Sequence, residues 1–571
     1  MNQTRSFLLI LWLFVAGLLW MQWNKAPTNP SGSTPETAAA TAALPSDALP
    51  DTGNNAAALP GSVVTTAPTA TVAPEKLITI ENDVLRLTID LHGGHIVDSQ
   101  LLTYTVEKQA GSPNVHLLAT DAAHYFRADA GLIRVDGQQQ KTIDQQFQIE
   151  SGGDQNSFVI APGAATLALP LLATDPTTGL SVRRTLTLTR GSFVLGLSEQ
   201  ISNTGTTSQS VYPFVSLDRV APPVPPKHSF MTNPETFSVV GAAWYSPEKK
   251  YDRTRFTKFD GTKPPTEEIA NGWIAMLQHH FVTSWVPSPK ENQKFYTATL
   301  NHAGVPLYEI KSVATPLSIA PGASATHEAS LWVGPKLQAS MVKLAPSLEN
   351  SVDYGMFRVI SQPLFDYILE PLHDHVTGNW GWAIILTVLL LKLALYPLSA
   401  KQYKSMAKMR AVMPRIEALK ERYGDDRQAF AVAQMDLYKK EGVNPIGGCL
   451  PMLIPIPIFL GLYWVLIETV EIRHAPWMGW IQNLTSADPY FILPALNLAV
   501  MFLTQKLTPT PGMDPMQKKM MQFMPLVFGG MMAFFPSGLV LYWVTNGALG
   551  LLQQWWMTKQ HGPKTAATTV R

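Results

Sequence analysis

Lys392 stands inside GWAIILTVLLLKLALYPLSAKQYKSMAKMR, residues 381–410, in an apolar run long enough to cross a bilayer. A lone ammonium at that depth costs roughly 2.5–3.5 kcal/mol even on the mildest insertion scale. Snorkelling, a buried carboxylate or water can offset such a cost. With the charged edge of the segment near Ala400, Lys392 lies about 12–13 Å deep at ~1.5 Å per residue, and its stem covers roughly half of that. No Asp or Glu occurs within 380–399, 446–467, 490–505 or 522–557. Water is left, so Lys392 is expected to face a hydrated groove between helices that opens towards the cytoplasm.

The elements that position it read in order along 571 residues. Residues 1–25 carry one arginine and then FLLILWLFVAGLLWMQW, an uncleaved signal anchor, since no small-x-small site follows closely. Residues 26–75 are nearly all Ala, Pro, Thr, Ser and Gly, too poor in apolar surface to fold, and read as a disordered tether. From 76 to 345 short alternating runs such as LITIENDVLRLTIDLHGG and GLSVRRTLTLTRGSFVLGLSEQ, bounded by Gly and Asn, predict a large antiparallel β-sandwich on the far side of the membrane. Residues 350–371 predict an amphipathic helix on the membrane surface, with Met356, Phe357, Ile360, Leu364 and Phe365 on one face and a break near Pro363.

Spans are then expected at 378–399, 446–470, 489–506, 520–535 and 538–557, the last two joined at FFPSG. With the anchor these make six. Basic residues crowd 400–443, which holds Lys401, Lys404, Lys408, Arg410 and Arg415, and also occupy the short tail 558–571; the loop 471–488 has only Arg473. Both termini are thereby placed in the cytoplasm. Residues 400–443 predict a helical hairpin closed by the Gly424-Asp425 turn, with Asp426 following, and its basic face is either merely solvated or a contact for an anionic partner.

The sequence also narrows the chemistry. Spans free of acids and histidines do not suit proton- or cation-coupled transport. A cationic, one-sided, wet groove with apolar flanks suits a polypeptide, drawn by its own transfer from water to lipid at roughly 25 cal/mol per Å². No nucleotide loop occurs, and the single Cys449 rules out an intrachain disulfide. No metal spacing links His92, His95 and His124, and no cofactor is expected. A rival reading makes the β-domain a membrane-anchored carbohydrate-binding or carbohydrate-modifying module.

Four blocks carry a resemblance: GNWGWAIILTVLLLKLALYPLSAKQYKSMAKMR, YGDDRQAFAVAQMDLYKKEGVNPIGGCLPMLIPIPIFLGLYWVL, DPYFILPALNLAVMFLTQKL and DPMQKKMMQFMPLVF with FFPSGLVLYWVTNGALGLLQQ. Over roughly 352–557 the chain resembles the YidC-type membrane protein insertases of Gram-negative bacteria, of the YidC/Oxa/Alb superfamily. The resemblance implies a polytopic α-helical inner-membrane protein with six spans, a five-helix core around a hydrophilic groove, and a periplasmic β-supersandwich. It implies insertion and chaperoning of membrane proteins, alone or beside the Sec translocon, without enzymatic catalysis. Implied partners are nascent membrane proteins, the Sec translocon and its accessory subunits, ribosomes or signal recognition machinery, and the bilayer. Lys392 falls on the family's basic groove position, where many relatives carry arginine; lysine keeps the charge and loses the planar fork. Where some relatives have a groove threonine this chain has Val388, with Thr387 beside it. The family's substrate-contacting face falls on Ile456, Pro457, Phe459, Phe534, Tyr542 and Trp543.

Overall fold

The computed structural model describes residues 76–561 apart from 137–138, 154, 224–237, 262, 425, 443–454 and 508–514, and the backbone alone at 136, 139, 401–411, 427, 455, 507, 515–518, 521, 558, 560 and 561. The expected anchor, tether, Asp425, Cys449 and most of the tail lie outside the described residues.

Alternating apolar residues build two facing sheets, of eleven and nine strands among the described residues. In Leu180–Thr189, inward Leu and Val alternate with outward Thr and Ser, and the neighbouring strands run antiparallel on both sides. Asn82 closes the first hairpin by accepting from the backbone N–H groups of Val84 and Leu85, while its amide donates to the carbonyls of Thr189 and Ser192. One side chain thus stitches two hairpins together.

Arg184 bridges the sheets. Its guanidinium pairs with Glu199 at 2.7 Å and donates to the carbonyls of Gly94, at 3.0 Å, and Ala130, at 2.8 Å. Gly94 takes φ +68, and a Cβ there would fall 2.1 Å from Nη1, so the Gly93-Gly94 break is required by this contact.

The longer helices that follow among the described residues are α1 (Gln338–Leu344), α2 (Arg358–Leu364), α3 (Trp380–Ala394), α4 (Tyr396–Tyr423), α5 (Arg427–Lys440), α6 (Pro455–Glu468), α7 (Ile492–Leu507), α8 (Pro515–Met532) and α9 (Ser537–His561). The expected break near Pro363 does not occur. Helical backbone continues past it and widens into a π segment, Phe365–Leu369, just beyond. Ser361, Leu364, Phe365 and Leu369 are buried, whereas Met356, expected on the same broad apolar face as Leu364 and Phe365, is exposed.

Asn379 caps α3, accepting from the N–H groups of Gly381 and Trp382 and donating to the carbonyls of Pro476 and Trp477. The chain turns at Leu395, because Pro397 disfavours continued helix before it, and α4 then runs unbroken through the position expected to start the hairpin. At the other end, the turn into α9 is clamped to 483–486: Ser537 donates through Oγ to the carbonyl of Asn483 and through its N–H to that of Ser486. No helix among the described residues is long and apolar enough to cross a membrane. The physical reasons are visible: α3 has 15 residues and α7 has 16, the 18 residues of α8 include Gln517, Lys518, Lys519 and Gln522, and the 25 residues of α9 include Asn546, Gln553 and Gln554.

The β-domain and the helices meet at a polar junction. Glu468, buried at the end of α6, accepts from Ser238 Oγ at 2.6 Å, and His279 Nε2 reaches the carbonyl of Ile467 at 3.0 Å. Arg473 donates to the carbonyls of Thr105 and Val106. The stacked rings of His279 and His280 sit beside Lys336 and Arg473. Burial, with the field of Lys336 and Arg473, pulls His279 from 6.5 down to about 3, and burial and His279 drive His280 well below its ordinary value.

Two predictions follow the packing. Replacing Arg184 with Leu leaves Glu199 buried and unpaired, and should cost about 3–5 kcal/mol in chemical denaturation of the purified protein. For the histidines, the folded values lie below the unfolded ones. The stability they contribute is therefore present above about pH 6.5 and lost as pH falls towards about 3, by ~1.4 kcal/mol per pH unit for each fully titrating imidazole. Thermal midpoints measured down that range should fall, and the fall should flatten in the His279→Asn/His280→Asn variant.

Candidate functional site

A groove can form beside Lys392 because α9 packs between α3 and α7 and carries glycines where it meets them. A Cβ on Gly547 would fall 2.5 Å from Val500 of α7, and one on Gly550 would fall 3.4 Å from Lys392 Nζ. Lys392 occupies the last turn of α3, where unpaired carbonyls favour a cation. It is half-buried and pairs with no carboxylate among the described residues. Its charge therefore faces the end of α3 and the glycine face of α9.

The polar lining differs from the expected pair of Lys392 and Thr387. Thr387 is fully buried and its hydroxyl has no partner among the described residues. Five residues apart on a helix, the two point about 140° away from each other. Lys392 instead lies against α9, where Asn546, Gly550 and Gln553 share one face at spacings of four and three. Gln553 Nε2 is buried without a protein partner among the described residues. That stripe was available in the sequence as amides interrupting an apolar helix at one-face spacing.

Three of the six expected contact residues converge. Phe459 of α6 stacks on Tyr542 with centroids 5.8 Å apart and meets Trp543 edge-on at 4.7 Å. Tyr542 is buried and Trp543 partly so, which makes them a packed aromatic wall. Ile456, 44% exposed, and the exposed Pro457 extend from this wall at the start of α6. Phe534, 58% exposed, lies in the turn between α8 and α9; its neighbour Phe535 touches Tyr463, two turns along α6 from Ile456. Phe534 and Ile456 therefore belong to opposite ends of the helices.

The hairpin packs α4 on α5 through Val412, Met413, Ile416 and Tyr438. Arg415 pairs with Glu441, and Asp426 caps α5 by accepting from the N–H groups of Gln428 and Ala429. Both are thus engaged in holding the hairpin. Lys401, Lys404, Lys408 and Arg410 lie on the backbone of α4, with side chains outside the described residues.

Two family profiles match, one described as 60Kd inner membrane protein over residues 372–564 and the other as YidC periplasmic domain over 77–367. The chain is similar to a protein named membrane protein insertase YidC from Stenotrophomonas maltophilia strain R551-3, at 49% identity over 100% of this chain and 99% of the relative. A relative of the same name from Xanthomonas campestris pv. campestris strain 8004 is 48% identical, covering 99% of this chain and 98% of its own length. A solved YidC insertase structure with its first transmembrane domain resolved aligns over 84% of this chain and 92% of its own at 19% identity, with a TM-score of 0.36.

The groove geometry is open to test by labelling. In a Cys449→Ser background, Lys392→Cys should react with a hydrophilic maleimide, and adding Gly550→Leu should slow that reaction by filling the space against α3. Gly550→Ala, which only reaches van der Waals contact, should leave the rate nearly unchanged.

Proposed function

We propose, for a chain that belongs to the YidC family of membrane protein insertases, that Lys392 is the fixed charge of a hydrated substrate groove formed with α9. The protein inserts membrane proteins and resides in the inner membrane, with its β-domain in the periplasm. The observation that carries the proposal is the half-buried Lys392 ammonium set against Gly550, without a described carboxylate to neutralise it.

The mechanism is partition, not bond chemistry. A hydrophilic or acidic client segment leaving the cytoplasm meets the Lys392 charge and the Asn546 and Gln553 amides, which replace part of its hydration. Its apolar segment meanwhile moves along the Ile456, Pro457 and Phe459 side and past Tyr542 and Trp543 into lipid. Burial at roughly 25 cal/mol per Å² drives the transfer, so no nucleotide is needed. Helices of 15 and 16 residues measure about 22–24 Å against a hydrocarbon core of about 30 Å, so the membrane beside them is thinned and the polar segment's path shortened.

The topology belongs to the same proposal: six spans, both termini in the cytoplasm, and residues 350–371 on the periplasmic membrane surface. The basic hairpin face is read as the receiving surface for ribosomes or targeting factors, and the β-domain as the contact for the Sec translocon's accessory subunits. Some clients would be served beside that translocon and others without it.

Charge substitution at one position tests the groove. With a single-span client bearing an acidic translocated tail, followed by protease protection, Lys392→Arg should retain insertion. Lys392→Leu and Lys392→Glu should lower it about tenfold or more, the scale of one lost charge-assisted contact. Equal insertion by all three would move the function away from this charge and onto the apolar side and hairpin.

A further inference from the structure

A cleft of about 450 Å³ opens where the end of the β-domain meets the interfacial helix, between α1, residues 349–350 and the stretch from α2 to Glu370. Charges of both signs line it, and among the described residues none of them closes a direct ion pair with another. The Arg358 guanidinium is held by neutral acceptors only, at 3.3 Å from the carbonyl of Asn350, 3.4 Å from that of Val352 and 3.3 Å from Gln362 Oε1. It forms no ion pair among the described residues, and neither do Lys343 and Glu370. Asp366 accepts only from the Gln362 amide, at 2.9 Å to each oxygen. Glu349 Oε2 is buried and has no partner among the described residues. Asp366 and Glu370, four residues apart, share a helical face. Burial raises both carboxyl groups, and the negative field of Asp374 and Asp366 raises Glu370 further, so the acidic end of the cleft favours a cation.

The surroundings are apolar and exposed. Val342 lines the cleft, and Met356 and Val359 stand out from the same interfacial stretch. A ligand suited to this place carries an anion and a hydrogen-bonding cation a few ångströms apart, and an apolar tail that can leave sideways. We propose that the cleft holds the headgroup of a phospholipid of the phosphoethanolamine class, its phosphate against Arg358 and Lys343 and its primary ammonium among Glu349, Asp366 and Glu370. A primary ammonium donates three hydrogen bonds. A trimethylammonium donates none, and a glycerol headgroup lacks the cation. The proposal rests on the interfacial placement of residues 350–371.

The test uses full-length protein in nanodiscs containing equal amounts of phosphatidylethanolamine, phosphatidylcholine and phosphatidylglycerol, with retained lipid counted by native mass spectrometry. Phosphatidylethanolamine should be retained about tenfold over either competitor. Asp366→Asn/Glu370→Gln should abolish that preference, and the surface variant Lys343→Glu, which poses no folding risk to the cleft, should weaken it several-fold. Equal retention of the three lipids, or a preference unchanged in the variants, overturns the site. Free O-phosphoethanolamine binding the detergent-solubilised protein as tightly as the lipid would assign the cleft to a soluble ligand and overturn the lipid assignment. Placement is read separately, through quenching by brominated lipid of a fluorophore on Val359→Cys in the Cys449→Ser background. No quenching removes the interfacial placement and the lipid assignment with it, whereas quenching without lipid preference removes only the headgroup site.

Discussion

An ammonium inside an apolar helical bundle constrains everything packed near it. It cannot be left dry, because desolvating an ion costs more than local packing returns, and here no described carboxylate offsets that cost. The helices beside it must therefore leave room for water. Gly550 gives that room directly opposite Nζ, Gly547 lets α9 settle against α7 without pushing α9 towards Lys392, and the C-terminal dipole of α3, in whose last turn Lys392 lies, adds a favourable field. The short length of α3 follows from the same need, since a longer helix would carry the charge deeper. Pro397, by ending α3 two residues after Lys392, fixes how deep the ion sits.

Much of this was legible in the sequence because it depends on local periodicity or on a single improbable residue. Lys392 announces itself by its cost. The hairpin at Asn82 follows from an Asn-Asp pair between alternating runs, and its two strands are Leu77–Glu81 and Leu85–Asp90. What the sequence did not yield is whatever depends on two elements meeting. Thr387 is polar and close in number to Lys392, yet helical geometry turns it into the bundle, while Asn546 and Gln553, more than 150 residues further along, come round to the groove. Pro363 looked like a helix break because proline costs about 3 kcal/mol in a regular helix, yet the helical backbone runs through it and widens to a π segment only beyond it. The Arg184 bridge needed two sheets to face each other before its acceptors, Gly94 and Ala130, could be known.

The polar junction explains how a flexible task can be attached to a rigid domain. Arg473, His279 and Ser238 tie the ends of the helices to the β-domain through backbone carbonyls and one carboxylate, Glu468. Bonds to backbone hold position without requiring a particular side chain opposite, so the periplasmic ends of α6 and the following loop are fixed in place.

Two treatments of buried charge coexist in one chain, and their contrast gives the groove its meaning. In the β-domain, Arg184 is paired with Glu199 and its remaining donors are consumed by carbonyls and by Gln145. That is the arrangement a stable interior requires. Lys392 receives none of this, although a single carboxylate on α9 or α7 would suffice to pair it. Such a pair would be neutral and dry, and it would offer a passing peptide neither field nor water. An unpaired cation is unfavourable for stability alone, but in the proposed groove it would attract acidic segments and release them again because no fixed geometry holds them. The same reasoning separates lysine from arginine at this position: a point charge on a flexible stem follows many segments loosely, whereas a planar fork would hold a carboxylate in one geometry.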